Sequence, residues 1–236
     1  MSITQTVMQA TSDGPGMHIP DGFVSAPVAA AGWVAMVGIL AVAVRMTNRE
    51  LNEKAVPLMG VMAAFIFAAQ MMNFPVAGGT SGHMLGGALA AILLGPWAAM
   101  IVMTAVVGLQ SVLFQDGGIA ALGLNILNMG MLTALVGYAF YRTVEPLLRG
   151  NRTALLASAS VAAWISVEVA AVSTSLQLAV SGSSPLDVVL PAMVGVHALI
   201  GVGEGLITAA ALGFIMTTRA DLLPPAKTAS AGTSRP

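Results

Sequence analysis

Long runs of apolar residues, almost free of charge, are the feature that most constrains how this chain can fold. A helix needs about 20 consecutive apolar residues to cross a bilayer. Only 8% of the residues are charged, whereas about 25% is usual for a soluble domain, so the pattern predicts a multi-pass membrane protein. The clear runs are Ala26–Met46, Val56–Met72, Pro96–Phe114, Ile119–Tyr141, Thr153–Val180 and Val188–Thr217.

A shorter apolar run, Met84–Gly95, precedes Pro96, and the basic residues decide whether it forms a pass of its own. The 9 Lys and Arg residues lie in three clusters: after the first run, before Thr153, and in the C-terminal tail. Cytoplasmic loops are enriched in Lys and Arg, and the first two clusters share that side only if an even number of crossings separates them. We therefore predict an all-α, seven-pass transmembrane helical bundle with the N-terminus outside and the C-terminus cytoplasmic. The short pass is expected to be buried or partly re-entrant.

Charge and cysteine content exclude several classes of function. The formal net charge is -1, without the basic stripe that a nucleic-acid-binding protein needs. The chain has no cysteine, so disulfides and thiolate metal sites are excluded. The glycine-rich stretch 78–82 lacks the Gly-Lys-Ser/Thr ending of a Walker A motif. No nucleophile–base set is evident either, so the chain is not predicted to be an enzyme.

The ends of the chain differ in composition from its centre. Residues 1–16 are polar and contain neither the apolar core nor the basic start of a secretory signal peptide. They form either an outward-facing tail or a segment absent from the working protein, whose translation would start at Met17. Residues 17–218 make up the predicted transmembrane domain. Residues 219–236 are rich in Pro, Ala, Ser and Thr and are predicted to be a disordered cytoplasmic tail.

Histidine and glutamate stand out in so apolar a chain, because ionisable groups at membrane depth are costly and tend to face a cavity or a partner. His18 and His83 are predicted to lie on the outer side, where they are either loop residues or two ligands of a metal site. His197 and Glu204 lie on nearly one face of the last helix. They and Glu168 suit structural hydrogen bonds between helices or, alternatively, an ion path.

The segment Met17-His18-Ile19-Pro20-Asp21-Gly22-Phe23 resembles the N-terminal signature of the CbiM/NikM family. Members are the substrate-binding (S) components of energy-coupling-factor (ECF) transporters for nickel and cobalt. The resemblance extends roughly over 17–217. It also rests on three further motifs: Gly79-Thr80-Ser81-Gly82-His83, Phe114-Gln115-Asp116-Gly117-Gly118-Ile119, and His197 to Gly205.

The resemblance implies a square-planar site of four nitrogens. These would be the Met17 α-amine, the His18 backbone nitrogen, a His18 ring nitrogen (Nδ1 would close a chelate ring) and a His83 ring nitrogen. Such coordination suits Ni²⁺ and Cu²⁺. The Pro20-Asp21 pair and the loop ending in His83 are more similar to the nickel branch of the family, so Ni²⁺ is the expected transported ion and Co²⁺ is the alternative; no cofactor is expected. The primary amine requires a working chain that begins at Met17. Further hydrogen bonds around the ion are expected from Asn73, Ser81, Asn125 and Asn128.

The resemblance also implies partners. The chain would capture the ion for an ATP-driven uptake transporter, with a transmembrane coupling (T) protein, cytoplasmic ABC ATPases that hydrolyse the ATP, and a small accessory membrane subunit. The expected location is the cell (inner or cytoplasmic) membrane, and the cobalt branch is linked to cobalamin biosynthesis. The alternative is a stand-alone secondary transporter or channel that uses intramembrane His and Glu residues as an ion path.

Overall fold

Helices account for nearly all of the computed structural model, which describes residues 18–50, 55–72, 74–75, 81–148 and 150–222. The helices are α1 (Ala26–Glu50), α2 (Ala55–Gln70), α3 (Gly87–Leu94), α4 (Pro96–Phe114), α5 (Leu122–Asn125), α6 (Thr133–Val144), α7 (Arg152–Val180) and α8 (Leu186–Thr218). A π-helical segment, Ile126–Leu132, joins α5 to α6 in one continuous helical rod. Two-residue strands, β1 (Phe74–Pro75) and β2 (Ser81–Gly82), pair antiparallel ahead of α3.

The helices coincide with the predicted apolar runs, which confirms the all-helical class. Among the described residues, five helical stretches are long and apolar enough to cross a membrane, and Val56–Gln70 is a shorter apolar helix. Many large apolar side chains, among them Val34 and Phe214, are exposed on the outside of the bundle, as expected for a surface that contacts lipid. The number of passes and the orientation of the termini stay predictions. The five stretches are Ala26–Arg49, Pro96–Phe114, Leu122–Leu147, Arg152–Val180 and Leu186–Thr218.

The short helix α3 lies at the centre of the bundle, packed against α4, α6, α7 and α8. It has 8 residues, and Gly87 to Leu93 are all buried. The apolar run that predicts it starts at Met84, but the helix starts later because Gly86 has a φ of +86°, a left-handed conformation that interrupts a right-handed helix. Residues 83–86 therefore form a non-helical approach to α3.

Helices α7 and α8 form a long antiparallel hairpin. The Ser160 hydroxyl donates to the Gly205 carbonyl at 2.9 Å, and the Trp164 indole donates to the Ala198 carbonyl at 3.0 Å. The interface between α7 and α8 is the most extensive between any two described helices.

The predicted domain limits of 1–16, 17–218 and 219–236 stay predictions. The N-terminal extension and Met17 lie outside the described residues, as do residues 223–236. After α8 ends, Ala220–Leu222 forms a 3-10 turn.

Candidate metal site

Two buried histidines from distant parts of the chain meet at one end of the bundle. The ring centroids of His18 and His83 are 5.6 Å apart, with the ring planes at 80°. Only 5% of His18 and 7% of His83 is exposed. Because metal–nitrogen bonds are about 2 Å long, the two rings are close enough to ligate the same ion.

The loop that contains Asp116 contacts the Nδ1 edge of the His18 imidazole. The His18 Nδ1 atom lies 2.9 Å from the Asp116 carbonyl oxygen and 3.2 Å from Asp116 Oδ1. Its Nε2 is buried and has no hydrogen-bond partner among the described residues, an uncommon state for a buried nitrogen. In the chelate that the resemblance implies, a metal bond would replace the contact between Nδ1 and Asp116.

His83 lies between β2 and α3, and the backbone carbonyl of the next residue orients its ring. The Nδ1 atom lies 2.8 Å from the Met84 carbonyl oxygen. A carbonyl can only accept, so Nδ1 carries a proton, and in the neutral imidazole the lone pair is on Nε2. An imidazole held in this way is the usual state of a metal-ligating histidine.

Asn125, the last residue of α5, holds the residue after His18. Its Oδ1 accepts from the Ile19 backbone N–H at 3.0 Å, and its Nδ2 donates to the Ile19 carbonyl at 3.1 Å. The Gly118 N–H donates to the same carbonyl at 3.0 Å. The amide side chain thus pairs with the backbone of Ile19 much as a neighbouring strand would.

Asp21 ties the same segment to the start of α5. Its Oδ1 accepts from the Ala120 N–H at 2.8 Å, and its Oδ2 accepts from the Ile119 N–H at 3.1 Å. The N–H groups before a helix lack intrahelical acceptors, and this carboxylate supplies them. Residues 18–21, which we call the docking segment, are therefore fastened at both ends to residues 116–125.

Gly117 allows the docking segment to lie close to the loop below it. Its φ is +94°, and a Cβ there would lie 2.6 Å from the His18 Cβ. Glycine is thus required at this position both for its conformation and for space.

The remaining predicted site residues are placed differently. The Asn128 Nδ2 donates to Thr174 Oγ1 at 3.1 Å and to Gln177 Oε1 at 2.8 Å, so its amide bonds to α7 rather than to the docking segment. Met17 and Asn73 lie outside the described residues, and Ser81 is described only as part of β2. Their predicted roles stay predictions.

His197 and Glu204, the two ionisable residues predicted to share a face of the last helix, form different hydrogen bonds. His197 Nδ1 bonds to the Met193 carbonyl of its own helix at 2.7 Å, so the expected hydrogen bond between helices is wrong for His197. Glu204 does bond across the bundle, to the backbone of residues 85 and 86.

Within the part of the chain that the structure describes, no group of three or more His, Cys, Asp or Glu side chains could hold a metal ion. Ligands besides His18 and His83 must therefore come from backbone, terminal or other residues.

Comparison with known proteins gives a consistent result. Residues 18–222 match the CbiM family profile, described as the cobalt uptake substrate-specific transmembrane region. The chain is 42% identical over 209 residues to a putative fused nickel transport protein NikMN of Archaeoglobus fulgidus, covering 88% of this chain and 68% of that protein. It is 30% identical over 217 residues to the cobalt transport protein CbiM of Sorangium cellulosum, covering 88% and 94%.

A solved structure has the same fold. It is described as a truncated transition metal transporter, and it superposes with a TM-score of 0.77 at 34% identity, covering 85% of this chain and 99% of that one. A putative metal transport protein of Haloquadratum walsbyi is 40% identical over 209 residues, covering 88% of this chain and 93% of that protein. The extent of these matches shows that the chain belongs to the CbiM family.

Proposed function

We propose that this chain is the metal-capture subunit, or S component, of an ATP-driven nickel or cobalt uptake transporter of the energy-coupling-factor type. The observation that carries the proposal is the pair of buried imidazoles, 5.6 Å apart, at one end of an apolar bundle. Relatives named as nickel and cobalt transport proteins support the same function.

The ion is bound by nitrogen donors in a square-planar arrangement. His83 contributes its Nε2, since Nδ1 is engaged by the Met84 carbonyl. His18 contributes a ring nitrogen and its backbone nitrogen, and Met17 contributes the α-amine of a working chain that begins there. Support comes from the fastening of Ile19 and Asp21, which holds the residues next to Met17 beside the His83 ring. Asn73 and Ser81 add hydrogen bonds around the ion.

Nickel is the preferred cargo. Planar nitrogen coordination favours Ni²⁺ over ions that prefer tetrahedral or octahedral sites. Identity is 42% to the fused nickel transport protein of Archaeoglobus fulgidus and 30% to the cobalt transport protein of Sorangium cellulosum, which points in the same direction.

The chain works in the cell membrane with partners. It crosses the bilayer seven times, with α3 as the shortest pass, and the site faces outward. A transmembrane coupling protein, cytoplasmic ABC ATPases and a small accessory subunit reorient the bundle so that the ion leaves inside. Release requires the docking segment to separate from residues 116–125, which breaks the bonds of Asp21 and Asn125.

Nickel binding to the purified chain tests the site. Calorimetry should show high-affinity binding that is lost in both His18→Ala and His83→Ala. His197→Ala is the matched control, because His197 bonds only within its own helix among the described residues, and it should bind nickel normally. Normal binding by either site variant would overturn the assignment.

Reconstitution tests the transport mechanism. Vesicles that contain this chain alone should not accumulate nickel under an ion or proton gradient, because energy is supplied by the ATPase partners. Gradient-driven uptake by the single chain would instead favour the secondary transporter.

A further inference from the structure

We propose that Glu204 of α8 is a positioning residue for His83, and that it acts through one backbone peptide group. The inference rests on the proposed metal site. Glu204 is 1% exposed, and both of its carboxylate oxygens accept from backbone N–H groups rather than facing the two imidazoles.

The contacts form a continuous chain. Glu204 Oε2 accepts from the Leu85 N–H at 2.6 Å. That N–H belongs to the same peptide group as the Met84 carbonyl, which His83 Nδ1 contacts at 2.8 Å. Because a peptide group is planar and rigid, the carboxylate fixes the direction of the carbonyl that holds the imidazole.

The second oxygen of the same carboxylate fixes the next peptide group. Glu204 Oε1 accepts from the Gly86 N–H at 2.8 Å. Two consecutive N–H groups thus point at one carboxylate just before α3, where the start of the helix favours negative charge. The left-handed φ of +86° at Gly86 is part of the turn that presents both groups.

Gln70 holds the other side of Leu85. Its Nε2 donates to the Leu85 carbonyl at 2.6 Å, and its side chain is fully buried. This carbonyl lies one peptide beyond the one that His83 contacts. Gln70 therefore stabilises the approach to α3 without belonging to the chain of contacts from Glu204 to the imidazole.

The hydrogen bond of Glu204 has a chemical consequence as well. Successive hydrogen bonds polarise one another, so the bond from the Leu85 N–H to Glu204 makes the Met84 carbonyl a stronger acceptor. A stronger acceptor at Nδ1 makes Nε2 of His83 a better metal ligand, as outer carboxylates do for ligating histidines. Glu204 thus both aims the ring and strengthens its bond to the ion.

Glu204→Gln is the direct test, because the amide keeps the shape but has only one acceptor and no charge. Variants of such outer groups typically lose about 10- to 100-fold in metal affinity, and we expect a loss in that range for nickel, measured by calorimetry on the purified chain. The visible absorption of bound nickel should also shift. Gln70→Leu should cost less affinity and leave the absorption unchanged.

Ser160→Ala is the matched control. It removes a hydrogen bond to Gly205, the neighbour of Glu204 on α8, without touching the approach to α3. We expect it to lower the thermal stability while leaving nickel affinity and absorption unchanged. If Glu204→Gln does not fold, Glu204→Asp retains the charge but shortens the reach, and it should lose several-fold in affinity.

The outcomes separate the two proposals. Wild-type affinity and absorption in a folded Glu204 variant would overturn the positioning role, as would equal losses in Ser160→Ala. Normal nickel binding by His83→Ala would overturn the site itself.

Discussion

Asn125 offers a sharp test of how the docking segment holds the ion. The change Asn125→Leu keeps the number and branching of the side-chain heavy atoms and removes the bonds to the Ile19 N–H and carbonyl. Each net hydrogen bond contributes about 1 kcal/mol, and an unpaired buried donor costs about 1–3 kcal/mol more. Ile19 is only half-buried, and the Gly118 N–H still donates to the Ile19 carbonyl in the variant. The loss of free energy should therefore lie at the lower end of this range, at about 2 kcal/mol. At 1.4 kcal/mol per factor of ten, this corresponds to roughly 30-fold weaker nickel binding.

The control is the same substitution at Asn128. The two asparagines are 2% and 3% exposed, but Asn128 bonds to Thr174 and Gln177 of α7. Asn128→Leu should therefore lower the melting temperature while changing nickel affinity by no more than a few-fold. Calorimetric titration and thermal unfolding of both variants would decide the matter. Unchanged nickel affinity in Asn125→Leu, or equal losses of affinity in both variants, would refute the proposal that Asn125 supports nickel binding through its bonds to Ile19.

Three further outcomes are expected. Gly117→Ala should weaken nickel binding at least about tenfold, since overpacking costs about 1–3 kcal/mol and its Cβ would collide with His18, whereas Gly182→Ala, also at positive φ but in open space, should bind normally. Affinity should fall as the pH is lowered, because protons compete for the nitrogen ligands; a flat profile between about pH 8 and 6 would contradict nitrogen coordination. A chain that starts at Met17 should bind nickel more tightly than one with residues 1–16 attached, and equal affinities would exclude the α-amine as a ligand.

The helices could be predicted because burial in lipid imposes one pattern on the sequence. The run Pro96–Phe114 matches α4 at both ends, since Pro96 suits the first helical turn and Gln115 adopts a left-handed φ. The π-helical segment Ile126–Leu132 could not be foreseen, because its residues fit the apolar pattern of an ordinary helix. The late start of α3 depends on the left-handed φ of Gly86, and a Cβ at this position would also lie 2.8 Å from Ile66 Cγ2, so the site requires glycine.

The site could be predicted only in part. His18 and His83 were recognisable from motifs around them, and the structure brings their rings together. The contact of His18 with Asp116 could not be predicted, because local backbone hydrogen bonds are the usual role of an Asp in a turn that contains glycine. Glu204 was recognisable as a hydrogen-bonding residue. Its partners are backbone N–H groups, and these could not be predicted because almost every residue carries such a group.

The coordination of the ion is the most direct test of the central claim. X-ray absorption at the nickel edge, on the metal-loaded chain beginning at Met17, should show four nitrogen ligands in a plane with scattering from two imidazoles. One imidazole should disappear in His83→Ala if any nickel remains bound. Six-coordinate oxygen and nitrogen ligation, sulfur ligands, or a spectrum unaffected by His83→Ala would contradict the proposal that His18 and His83 enclose the ion.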